Sequence, residues 1–137
     1  MNKKNVLYIG VELDRESYKF LKKATGEREG WKQHCRTMTL IYNTKKLPEI
    51  PLNSLEEAWV DSNLGKEITL VGYAIGESDK SRALRVMVGS PCKTKFKHIT
   101  LETNQAIGGR PADSNKITSW KLIYPIILTG RVSVWYI

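Results

Sequence analysis

A chain of 137 residues, 41% hydrophobic and 26% charged, has the size and balance of one globular domain spanning 1-137, which excludes a disordered or fibrous chain. Its formal net charge of +8 favours anionic partners through long-range attraction, without saying which anion. The two cysteines, Cys35 and Cys92, lack the paired spacing of a zinc site or a disulfide framework; a reducing, cytoplasmic setting with no metal and no cofactor is the expectation. Glu12 and Asp14 interrupt the first apolar run too early for a signal peptide, and no stretch is long enough to span a membrane.

Val6 to Leu13 is rich in branched and aromatic residues, mostly apolar on both faces, and reads as a central strand. Asp14 then caps a helix from Arg15 to about Ala24, with Leu13 and Tyr18 as a hydrophobic staple and Gly26 as the stop. Tyr18 and Leu21 face inward, and Lys19, Lys22 and Lys23 face solvent. From Arg36 to Tyr42 polar and apolar residues alternate, which places Thr37 and Thr39 on one face and Met38, Leu40 and Tyr42 on the other. His34, three residues before Thr37 on an extended chain, falls on the opposite face unless a bulge intervenes.

Thr44 to Pro51 reads as a connecting loop, and Ser54 with Glu57 forms a capping box for a short helix, Leu55 to about Asn63, ended near Gly65. Lys66 to Ile75 and Arg82 to Gly89 make an antiparallel hairpin through Glu77-Ser78-Asp79-Lys80. Lys93 and Lys95 lead into the next strand, as phosphate attractants or as a solvated edge. Pro125 to Ile137 is a last, long strand interrupted at Gly130.

The stretch from Lys97 to Thr103 organises the rest. On a strand His98 and Thr100 share one face, while Ile99 and Leu101 turn into the core. A hydroxyl and an imidazole side by side suit a phosphate, and the imidazole can move a proton near neutral pH. Directly after it, Asn104 to Lys116 concentrates turn residues and hydrogen-bonding groups, including Gly108-Gly109-Arg110-Pro111 and Asp113-Ser114-Asn115. Such a loop can close over a ligand at His98 and Thr100, with Arg110 as a bidentate phosphate donor and Ser114 and Asn115 beside it. Trp120 either stacks on a base or packs in the core. The Thr37 and His98 stretches each follow a hydrophobic strand, Val6 to Leu13 and Ala83 to Gly89, so the chain reads as a loose duplication.

With these residues the chain resembles the two-histidine (2H) phosphoesterase superfamily, which includes the cyclic phosphodiesterase domain of tRNA ligases and small phage proteins that destroy cyclic nucleotide signals. The signature of that family is a pair of His-x-Thr or His-x-Ser motifs, one on a strand of each lobe, facing each other across a cleft. His98-Ile99-Thr100-Leu101 matches the second motif fully, and Met38-Thr39-Leu40 with the lead-in from Trp31 to Cys35 matches the first. The position of the first histidine is held by Thr37. The resemblance implies an α+β, two-lobed fold with antiparallel sheets around a central cleft and flanking helices. It also implies metal-independent acid and base catalysis by two histidines, with the threonines holding phosphoryl oxygens.

Threonine cannot titrate near neutrality but can hydrogen bond to phosphate, so with Thr37 in that place binding survives where turnover does not. The first expectation is therefore a degenerate member, of the phage counter-defence type and at work in a host cytoplasm. It would bind and sequester a cyclic nucleotide, or a nucleotide with a cyclic phosphate, through Thr37, Thr39, His98, Thr100, Arg110, Ser114, Asn115 and Trp120. A second is an active phosphodiesterase acting on cyclic nucleotides or RNA 2′,3′-cyclic phosphate ends, with His98 catalytic and assisted by another group. A third is a single-stranded RNA-binding module using the basic surface and exposed aromatics.

Overall fold

The structure, a computed structural model, describes residues 1–137. Period-two alternation and β-branched content generate most of its elements: β1 (Val6–Leu13), β2 (Trp31–Gln33), β3 (Thr37–Tyr42), β4 (Glu67–Glu77), β5 (Ser81–Met87), β6 (His98–Asn104) and β7 (Trp120–Tyr136). The strands form one antiparallel sheet in the order β2-β6-β5-β4-β7-β1-β3. Two helices, α1 (Arg15–Thr25) and α2 (Ser54–Asn63), and two short 3₁₀ turns, 105–107 and 111–116, complete an α+β fold. No helix is long and apolar enough to cross a membrane.

Each motif-bearing strand pairs with the hydrophobic strand that precedes it in the same half of the chain, β3 with β1 and β6 with β5. The two ends of the sheet also curl toward each other, so that β3 packs beside β6. Backbone bonds pin this approach: Cys35 N–H donates to the Thr100 carbonyl at 2.9 Å, His34 N–H to that of Leu101 at 2.8 Å, and Lys93 N–H to that of Leu40 at 2.8 Å. One hydrophobic cluster fills the inside, with Ile9 and Val11 from β1, Met38 and Leu40 from β3, Leu84 from β5, Ile99 and Leu101 from β6, and Leu21 and Val60 from the helices.

Three boundaries differ from the expectation. The Asp14 side chain caps α1 by accepting from Ser17 N–H at 2.8 Å, as expected, but the box that starts α2 is Asn53 with Glu56, each side chain accepting from the other's backbone N–H at 2.8 Å. Asn53 and Ser54 both carry the cap pattern with a glutamate three residues on, and only the earlier frame buries its glutamate. The last strand begins at Trp120 and runs through Pro125 and Gly130 without a break. Leu122 pairs with Ala74 and Ile126 with Gly72, so residues 123–125 bulge opposite Tyr73; there a proline forfeits no ladder hydrogen bond. Gly130 continues the strand because β1 passes too close for a side chain: a Cβ would lie 2.6 Å from a Val11 methyl.

Candidate functional site

The curl of the sheet leaves a cavity of about 1020 Å³ between β3 and β6. Thr37 and Thr39 line it from one side, His98 and Thr100 from the other, and Pro111, Ala112 and Asn115 form a wall over β6. A bulge decides what β3 presents. The pairing runs Ile9 with Ile41 and then Gly10 with Thr39, so Leu40 is the extra residue and both Leu40 and Ile41 are buried. Gly10 permits this, because a Cβ there would sit 2.3 Å from the Met38 carbonyl oxygen. The consequence is a correction: Tyr42 does not share the face of Met38 and Leu40 but joins Thr37 and Thr39 at the cavity.

His98 and Thr100 are held by different means. The His98 Nδ1–H donates to the Phe96 carbonyl at 2.9 Å, which fixes the tautomer and leaves Nε2 as an acceptor with no protein partner. Burial pulls its pKa below the ordinary imidazole value, opposed by the bond to Phe96. Thr100 Oγ1 lies 2.9 Å from Ser114 Oγ, and Ser114 Oγ lies 2.6 Å from Ser81 Oγ; both serines are fully buried. Three hydroxyls from β5, β6 and the 111–116 turn thus make one chain that ends at the cavity. Thr100 also reaches the Pro111 carbonyl at 3.3 Å, an acceptor that a ligand oxygen could replace.

His34 lines the same cavity, contrary to its expected place on the far face. Strict alternation fails because Cys35 takes a left-handed conformation, φ 58°, between β2 and β3. The His34 Nε2 lies 2.9 Å from Thr103 Oγ1, which already accepts from Gln105 Nε2 at 2.8 Å. The Thr103 hydroxyl has one proton and two lone pairs, so it can serve His34 Nε2 as donor or as acceptor while it accepts from Gln105. The His34 pKa is lowered, first by burial and then by the charge of Lys32.

Five threonines and three lysines, Lys45, Lys93 and Lys95, line the cavity, and no carboxylate does. The Lys93 Nζ is already engaged, 3.3 Å from Glu56 and donating to the Pro51 carbonyl at 3.1 Å, whereas Lys45 and Lys95 make no ion pair. Hydroxyl and ammonium donors with no carboxylate beside them suit an anion. No group of three or more histidine, cysteine or acidic side chains is placed to hold a metal ion.

Of the residues expected at the site, Thr37, Thr39, His98, Thr100 and Asn115 meet at the cavity. Arg110, Ser114 and Trp120 do not line it. Arg110 is exposed, its backbone N–H bound to Asp113 at 2.8 Å, and Ser114 acts from behind through Thr100. Trp120 packs edge-on to Phe96 at 5.0 Å, with the Arg85 guanidinium 5.5 Å from its ring. The polar and aromatic lining residues that pattern reading missed include Tyr42, His34, Lys45, Asn43, Thr44 and Thr94. The adjacent apolar pair Leu40-Ile41 was the one sign of the bulge that turns Tyr42 inward. Compared with protein-family models the chain matches none, and compared with curated proteins it also matches none.

Proposed function

We propose that the cavity binds and sequesters a cyclic nucleotide or related phosphodiester, with little or no hydrolysis, on a two-lobed fold of the 2H phosphoesterase type whose cleft lies between β3 and β6. The observation that carries this reading is a cavity lined by five threonines and three lysines without a single carboxylate. Thr37, Thr39 and Thr100 donate to phosphoryl oxygens, and Lys45 and Lys95 supply the field that draws an anion in. Sequestration is favoured over turnover because proton transfer has no matched pair. Burial favours the neutral form of both His98 and His34, and Thr37 offers no titrating group. A binder that leaves a signalling nucleotide intact works as a sponge, as a phage counter-defence protein in a host cytoplasm would.

One observation favours a second reading, an active phosphodiesterase acting on cyclic nucleotides or RNA 2′,3′-cyclic ends. Both histidines of the chain line the cavity, His98 with a bare Nε2 acceptor and His34 hydrogen-bonded through Nε2 to Thr103. A bound phosphate would raise the pKa of either ring and make one of them an acid.

The deciding experiment mixes the purified protein with cyclic mono-, di- and trinucleotides, cyclic ADP-ribose isomers and RNA 2′,3′-cyclic ends, and quantifies free ligand before and after heat denaturation. A ligand that disappears and returns intact on heating is the expected outcome. Return as a linear product establishes the second reading, and failure to deplete any ligand removes both.

A further inference from the structure

We propose that Tyr42 is a stacking platform for a nucleobase, so that the ligand of the cavity carries an aromatic base as well as its phosphodiester; this rests on the phosphodiester reading above. Apart from the two imidazoles, Tyr42 has the only aromatic ring in the cavity lining, and it is 43% exposed. It is also the end of a column. Trp135 on β7 stacks on Tyr8 of β1 with ring centroids 4.4 Å apart and planes 17° from parallel, and Tyr8 lies beside Tyr42 at 6.0 Å and 13°. The register places Tyr8 opposite both Trp135 and Tyr42, so three rings on three neighbouring strands stand nearly parallel on one sheet face.

Two of the rings in this column have neighbours on the sheet, and the last one borders the cavity. A face of Tyr42 turned away from Tyr8 is left to solvent, and a flat base laid on it would become the fourth member. Orientation is already set by the neighbours, so ordering the ring costs little on binding. Thr39, on the same face, lies within roughly 10 Å along the strand, which suits a nucleotide that reaches from its phosphate to its base. Stacking tolerates any base, so the platform predicts affinity for nucleotides without strong preference among adenine, guanine, cytosine and uracil.

The test is a proton NMR titration with two probes, adenosine 2′,3′-cyclic phosphate and the ribose 2′,3′-cyclic phosphate that lacks the base. With the wild-type protein the adenine H2 and H8 resonances move upfield. Tyr42→Leu weakens the adenosine probe about 5- to 150-fold. It leaves the base-free probe unchanged, and Tyr42→Phe restores the adenosine affinity. Equal affinity of the wild-type protein for the two probes overturns the platform and leaves the phosphodiester reading standing, as does a Tyr42→Leu variant that weakens both equally. Binding of neither probe overturns the platform, and the phosphodiester reading is then decided by the wider ligand panel above.

Discussion

The two strands that face each other across the cavity are built to different standards. On β6 every residue from His98 to Thr103 is buried. The Thr100 hydroxyl is backed by Ser114 and Ser81, the His98 ring is tied to Phe96, and the fully buried Glu102 is ion-paired to Arg28 at 2.5 Å and Arg82 at 3.7 Å. On β3, at the sheet edge, Thr37 and Thr39 are half-buried and their hydroxyls have no side-chain partner. One wall of the cavity is therefore preorganised and the other is a row of free donors. Preorganisation on one side lowers the ordering cost of binding, and free hydroxyls on the other adapt to the ligand. On the 2H reading proposed above, the position that departs from the family pattern, Thr37, lies on the adaptable side. A substitution there should cost the fold little, so on that reading the cup can persist without a histidine at this position.

Restoring the absent group tests this asymmetry most strongly. Thr37→His should raise hydrolysis of a bound cyclic nucleotide about 100-fold or more, the ordinary contribution of a proton-transfer group. Product formation under single-turnover conditions measures it, and a variant that binds but stays inert means Thr37 is not the lesion. Next in size is the cost of undoing the fixed wall. Ser114→Ala strips a partner from two buried hydroxyls and should destabilise by about 1–3 kcal/mol in urea melts. Thr39→Val on the edge strand should stay within about 0.5 kcal/mol. Equal costs for the two would erase the distinction between the walls.

The smallest effect is on acid stability. Burial lowers the pKa of both His34 and His98, so below the unfolded histidine value of about 6.5 the unfolded chain takes up protons that the folded chain resists. Stability is complete above that pH and declines as pH falls toward 5. Asp14 and Asp113, whose pKa values are also lowered by hydrogen bonds, act only below the ordinary carboxylate range near about 4. His98→Gln should flatten the decline between pH 6.5 and 5, and an unchanged slope would mean that His98 is not held neutral in the fold.

Regular periodicity made the scaffold legible. β1, α1, the β4–β5 hairpin and the His98 face of β6 follow from alternation, caps and turn residues, and each stands within a few residues of its expected place. Irregular backbone was not legible, and the site depends on it. The bulge at Leu40-Ile41 and the left-handed Cys35 put Tyr42 and His34 at the cavity, and they go with the close approach of β1 to β3 at Gly10 and of β6 to residues 34–35, which local sequence does not encode. Arg110 and Trp120 were misplaced for the converse reason: chemical aptitude for phosphate or base says nothing about direction. Ser114 was picked for its hydroxyl, which lies behind Thr100 and not in the cavity lining.

The bulged strand β7, which lies between β4 and β1, joins the two halves of the sheet, yet it is made after all the other strands. During synthesis the β1–β3 pair and the β4–β5–β6 unit must wait, each with an unpaired edge, until residues 120–136 emerge. Until then the two halves are joined only by the β2–β6 pairing and by the backbone bonds that hold β3 beside β6. A nascent chain stalled before Trp120 would already hold every residue that lines the cavity, but not the strand that spans the sheet behind it.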